Sequence, residues 1–187
     1  MILFINACVR EESRTKRIAD HLLSRMGDTV TEVRLQDIDF PVVDEGFLKK
    51  RDELTEMGKF DVDMFSFARQ FAAADMIVIA APFWDMSFPA ALKQYLEQIC
   101  VNGIAFRYTE EGIPIGLCNA KKLYYVTTAG GPIISPEFGY GYVQSLAQNF
   151  YGIKETVLIK AENLDIYGAD VEAIVNKAME EIDKLEI

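Results

Sequence analysis

Five short apolar runs punctuate the chain, and between them apolar residues return every three or four positions. The runs are ILFINA (2–7), TVTEVRL (29–35), MIVIAA (76–81), KLYYVTT (122–128) and ETVLIKA (155–161). Each has strand length. Most are apolar at consecutive positions, as strands buried on both faces of a parallel sheet are, whereas 29–35 alternates by twos. Helical spacing fills the intervals at 13–26, 61–74, 87–100, the second half of 135–152 and 168–186. Ser13 stands where a cap belongs, and Pro89 falls in the first turn of the third helix, where a missing N–H costs little. Segment 36–60 is the least regular. It has room for a short helix and reads as a lid or a dimer arm.

The alternation of strand and helix predicts an α/β fold: a three-layer sandwich with helices on both faces of a five-stranded parallel sheet. Five strands favour the flavodoxin-like variant, with strand order 2-1-3-4-5. No repeat or linker interrupts the 187 residues, so 1–187 is expected to be one domain.

Composition narrows the function. The net charge of −10 repels polyanions, so no nucleic acid is expected as a partner. Cys8, Cys100 and Cys118 form no CxxC or Cys/His pair. No metal site is expected, and three free thiols suit a reducing cytoplasm. No segment is long and apolar enough for a membrane, and the N-terminal stretch lacks the marks of a signal peptide. The single histidine, His21, lies in an amphipathic stretch and reads as a helix-face residue, which leaves little basis for a Ser-His-Asp or Cys-His hydrolase.

In such sheets ligands bind beyond the carboxyl ends of the strands. After the first strand, Ser13 and Thr15 flank Arg14 at a helix start, with Arg10, Lys16 and Arg17 nearby. Free N–H groups, hydroxyls and a positive dipole end suit a phosphate; plain capping is the alternative. After the third strand come Pro82, Phe83, Trp84, Asp85 and Met86. A hydrophobic staple would explain one apolar residue there, and a flat, polar-edged ring would explain three. After the fourth strand, Thr128, Ala129, Gly130 and Gly131 allow close backbone approach, or simply a turn. A flavin mononucleotide answers all three loops at once.

Two stretches, IVIAAPFWDMSFPAALKQYLEQI (77–99) and GIAFRYTEEGIPIGLCNAKKLYYVTTAGG (103–131), carry a family resemblance. The chain resembles, nearly end to end, the flavodoxin-like NAD(P)H-dependent FMN oxidoreductases of the azoreductase and quinone reductase type. The resemblance implies FMN bound by Ser13, Arg14 and Thr15 at its phosphate, where the nearby Arg10 is expected to add charge, by Pro82 to Met86 along the ring, and by Thr128 to Gly131 at the ring's other edge. It implies a substrate side formed by Phe106 and Tyr108, NADH or NADPH as electron donor, a small aromatic acceptor, and a homodimer with two sites at the subunit interface. The sequence departs from the family pattern at Ala129, where Arg is common, at Trp84-Asp85, where Tyr-Asn is common, and around Cys8 and Val9, where a serine is common.

The expected reaction is a two-electron, ping-pong reduction of a quinone, azo or nitro compound, with the chemistry at flavin N5 and no catalytic side chain. Backbone N–H groups of Trp84 to Met86 and of Ala129 to Gly131 are expected to face the ring. The Asp85 side chain is expected to turn away and cap the following helix. A flavodoxin-type electron carrier is the rival reading. A receiver-type signalling domain is disfavoured, because Cys8-Val9 and Ala80-Ala81 stand where its acids would be.

Overall fold

The computed structural model describes residues 1–187. Its main sheet holds β1 (Ile2–Asn6), β2 (Val30–Arg34), β3 (Met76–Ala80), β6 (Lys122–Thr128) and β7 (Glu155–Ala161). All neighbours are parallel and the order is β2-β1-β3-β6-β7, the predicted 2-1-3-4-5 in terms of the main sheet. The period of two divides each central strand between two cores. Leu3, Ile5, Ile77, Ile79, Leu123 and Tyr125 pack on one side with α3 (Ser66–Ala73), α4 (Ala90–Ile99) and α5 (Tyr140–Leu146). Ile2, Phe4, Val78, Tyr124 and Val126 pack on the other with α1 (Arg14–Met26) and α6 (Val171–Asp183).

Two elements match the sequence expectation in outline, the short helix within 36–60 and the helical half that ends at Gly152, and two depart from it, the helix predicted over 61–74 and the position of Pro89. The irregular segment contains a three-turn helix, α2 (Glu45–Glu56), capped by Asp44 accepting from Phe47 N at 2.8 Å, and it buries none of its residues. The predicted helix 61–74 is a 3₁₀ turn, Asp63–Phe65, followed by α3. Arg69 explains the late start, since its guanidinium bonds the carbonyls of Phe60 and Val62 and holds that stretch as a loop. Pro89 is the N-cap of α4 rather than a first-turn residue. The segment before Gly152 is α5 plus one π turn, Ala147–Tyr151, closed by Gly152 at φ 77°.

A small antiparallel hairpin was not anticipated. It pairs β4 (Phe106–Tyr108) with β5 (Pro114–Gly116) between α4 and β6. Gly116 lies so close to the backbone of Tyr151 and Gly152 that no Cβ fits there. No helix is long and apolar enough to cross a membrane.

Candidate active site

The carboxyl ends of β1, β3 and β6 open into one cavity of about 330 Å³, within the usual range of small-molecule sites. The chain leaves β1 for β2 at one sheet edge and returns across β1 to β3, so the loops after β1 and β3 diverge and leave the crevice between them.

The first wall is the loop after β1. It turns without glycine because buried Asn6 accepts from Cys8 N at 2.9 Å, an Asx-type turn. Ser13 then caps α1, its Oγ accepting from Lys16 N at 3.2 Å. Arg14 N and Thr15 N, the first two amides of α1, have no protein acceptor, as expected at a helix start. The Thr15 hydroxyl points inward instead. It bonds the Thr128 hydroxyl at 2.6 Å, both residues being buried, and ties the helix start to the end of β6. Beneath the loop, burial pushes the Cys8 thiol up to about 11, so it offers no thiolate at neutral pH.

The second wall follows β3. Phe83 N donates to Thr128 O at 2.9 Å. Trp84 and Ser87 then exchange both backbone bonds, at 3.0 and 2.8 Å, closing a two-residue turn over Asp85 and Met86. Asp85 has φ 50° and Met86 φ 66°. Two left-handed residues are the mark of a type I′ turn, which normally selects Asn-Gly. An Asp-Met pair in that conformation is strained, and a strain held in a site loop points to function. The turn leaves the N–H groups of Asp85 and Met86 without acceptors and exposes Trp84 and Met86 to about 40% (38% and 44%).

The third wall is the glycine loop after β6. Ala129 N is bonded to Ala161 O, whereas the N–H groups of Gly130 and Gly131 have no acceptor. This loop is fixed by a partner that sequence reasoning missed, the loop after β7. Asn163 N, Leu164 N and Asp165 N donate to the carbonyls of Gly131, Ala129 and Gly130 at 3.2, 3.2 and 2.9 Å. Asp165 lines the cavity and meets Arg14 there, Oδ1 to Nη1 at 2.9 Å. The available signal was Asn163 just beyond a strand end, a residue type that tolerates the left-handed φ of 67° found there.

Ten of the proposed residues line this one cavity: Arg10, Ser13, Arg14, Thr15, Pro82, Phe83, Trp84, Thr128, Ala129 and Gly130. Asp85, Met86 and Gly131 sit on its rim loops but do not line it. Phe106 and Tyr108 lie elsewhere in the single chain. Phe106 is buried edge-on against Phe150 and Tyr108, with ring centres 5.0 and 5.3 Å away, and borders a separate cavity beside Cys100. His21 faces Asp183 on the outer surface at 2.9 Å, the helix-face position expected.

Two expectations are corrected. Asp85 does not cap α4, whose N-cap, Pro89, is joined by no side-chain cap bond; the type I′ turn carries the Asp85 backbone away from the helix start. The free amides are fewer than expected, because the hairpin uses Trp84 N and the extension of the sheet uses Ala129 N. The remaining donors fit FMN: one unpaired amide pair at a capped, arginine-flanked helix start, and two pairs on the loops after β3 and β6, beside the exposed Trp84.

The sequence profile of the flavodoxin-like fold matches residues 1–185. The chain belongs to the flavodoxin-like family. Among its relatives are proteins named FMN-dependent NADH:quinone oxidoreductase. That of Coprothermobacter proteolyticus is 36% identical over 98% of this chain and 96% of its own length. That of Clostridium acetobutylicum is 38% identical over 96% of this chain and 94% of its own. The solved azoreductase from Bacillus anthracis superimposes with a TM-score of 0.84 at 25% identity, covering 98% of this chain and 96% of that one. The likeness to these relatives therefore spans 96–98% of this flavodoxin-like chain, not merely a core.

Proposed function

We propose that the chain is an FMN-dependent oxidoreductase that takes two electrons from NADH and delivers them to a quinone or an azo compound. The observation that carries the reading is the set of unpaired amides on the three loops that bound one cavity, in a chain related over 98% of its length to a protein of that name. Bound FMN supplies the hydride-accepting and hydride-donating chemistry. The chain's own residues hold and polarise it. Arg14 N and Thr15 N, with the Ser13 hydroxyl, receive the phosphate at the positive end of α1, and Arg10 and Arg14 add charge. Asp85 N and Met86 N serve one ring edge, and Gly130 N and Gly131 N the other, where fixed dipoles steady negative charge. Pro82, Phe83 and Trp84 supply the apolar wall. Thr128 acts indirectly, by bonding Thr15.

We assign Tyr108 and its partner Phe106 to the acceptor side of a homodimer. The β4–β5 hairpin exposes Tyr108, Ile113 and Ile115, and the loop after β6 exposes Ile134 and Phe138, large apolar groups that a second copy would cover. Three free thiols, two of them half-buried, suit work in the cytoplasm. Stopped-flow mixing with NADH tests the reading. The FMN-loaded protein should bleach with NADH and recover colour with a quinone, in two separable steps. Sedimentation should give twice the 21.1 kDa chain mass; a monomer would contradict the dimer.

A further inference from the structure

We propose that Asp165, on the loop after β7, is a positioning residue for the phosphate end of the cofactor, acting through Arg14. The inference rests on the FMN reading above and adds a residue that neither the strand-end rule nor the relatives' names assign. Three observations meet at this side chain. Its Oδ1 accepts from Arg14 Nη1 at 2.9 Å, across the mouth of the cavity. Its backbone N–H donates to Gly130 O at 2.9 Å. Its carboxylate occupies the space beside Gly130 so closely that a Cβ on that glycine would overlap Oδ2.

Asp165 is thereby seated by the glycine loop and reaches from it to the start of α1. Arg14 is the first residue of that helix, and its own amide is one of the unpaired donors. The guanidinium uses only Nη1 on Asp165; Nε and Nη2 donate to no protein group. An arginine has five donors in a rigid fork, and a long flexible stem whose freedom is lost when the fork is used. Anchoring one corner of the fork removes that freedom before a ligand arrives and leaves the other donors for a phosphate oxygen. A carboxylate near a phosphate dianion would repel it if bare. Here the guanidinium stands against the carboxylate at 2.9 Å and offsets its charge.

The test compares FMN with riboflavin, which has the ring but no phosphate, by quenching of flavin fluorescence on titration with apoprotein. Asp165→Ala keeps the backbone bond to Gly130 O and removes only the carboxylate. It should weaken FMN binding about fivefold, the upper end for an exposed ion pair, and leave riboflavin binding unchanged. Arg14→Gln should weaken FMN further, and the double variant should bind FMN no worse than Arg14→Gln alone. Unchanged or tighter FMN binding by Asp165→Ala would overturn the proposal, as would equal losses for both flavins or additive losses in the double variant. Failure of the wild-type apoprotein to quench either flavin would instead overturn the FMN reading itself.

Discussion

Replacing Thr15 by Val probes the bond that joins the phosphate loop to the glycine loop. The two residues are nearly isosteric and of similar helix propensity, so neither a cavity nor a backbone term is introduced. What is lost is the 2.6 Å hydrogen bond between Thr15 Oγ1 and Thr128 Oγ1, whose residues are only 1% and 9% exposed. Thr128 Oγ1, on a residue 9% exposed, would then lose this partner, at a cost of about 1–3 kcal/mol. For a chain of this length, about 2 kcal/mol corresponds to a fall in Tm of roughly 4–8 °C. The measurement is urea and thermal unfolding of the FMN-free protein, since bound cofactor would add its own stabilisation. Thr15→Val together with Thr128→Val removes both hydroxyls, so the double variant should lose less than the sum of the singles. A single-variant loss below about 0.5 kcal/mol, or strict additivity, would refute the claim that this bond is buried and mutual.

Other perturbations have equally definite outcomes. Asp85→Asn with Met86→Gly installs the pair that a type I′ turn favours and should raise the stability of the apoprotein by about 1 kcal/mol; an unchanged or lower unfolding midpoint would argue against strain in this turn. Burial holds Cys8 near 11 and Cys118 near 12, against an ordinary 9.0, so both should resist iodoacetamide at pH 8 until the protein is unfolded. Above pH 9 the unfolded chain loses thiol protons that the folded chain keeps, so stability falls as pH rises from about 9 towards 11, and a flat unfolding midpoint over that window would contradict the burial. Gly130→Ala should displace the Asp165 carboxylate and weaken FMN binding; unchanged FMN binding would contradict the close approach at Gly130.

The sheet was legible because its central strands are buried on both faces: MIVIA and KLYYV read as strands without needing any partner. Helix ends were less legible, because side-chain bonds to the flanking backbone set them, as Arg69 does by holding the Phe60 and Val62 carbonyls out of α3. The β4–β5 hairpin escaped notice because its strands are three residues each and one contains Pro114 and Gly116, a poor strand signature. Among the site loops, residue type singled out ten residues that line one cavity, whereas hydrogen-bond allocation was not legible. Sequence cannot tell that Trp84 N closes a hairpin, that Ala129 N extends the sheet, or that the Thr15 hydroxyl faces Thr128. Asp85 shows the limit most clearly: an acid before a helix suggests a cap, and only its positive φ reveals a turn residue. Asp165 was missed because its role depends on an ion pair spanning 151 residues of chain.

The most direct test of the FMN oxidoreductase reading is an anaerobic visible spectrum of the protein after incubation with FMN and desalting, followed by NADH and then a quinone. Retained flavin bands that bleach on NADH and return on the quinone are the predicted result. Flavin retained but untouched by NADH would contradict the oxidoreductase reading and favour an electron carrier. Loss of the flavin on desalting would contradict the assignment of the unpaired amides around the cavity to FMN.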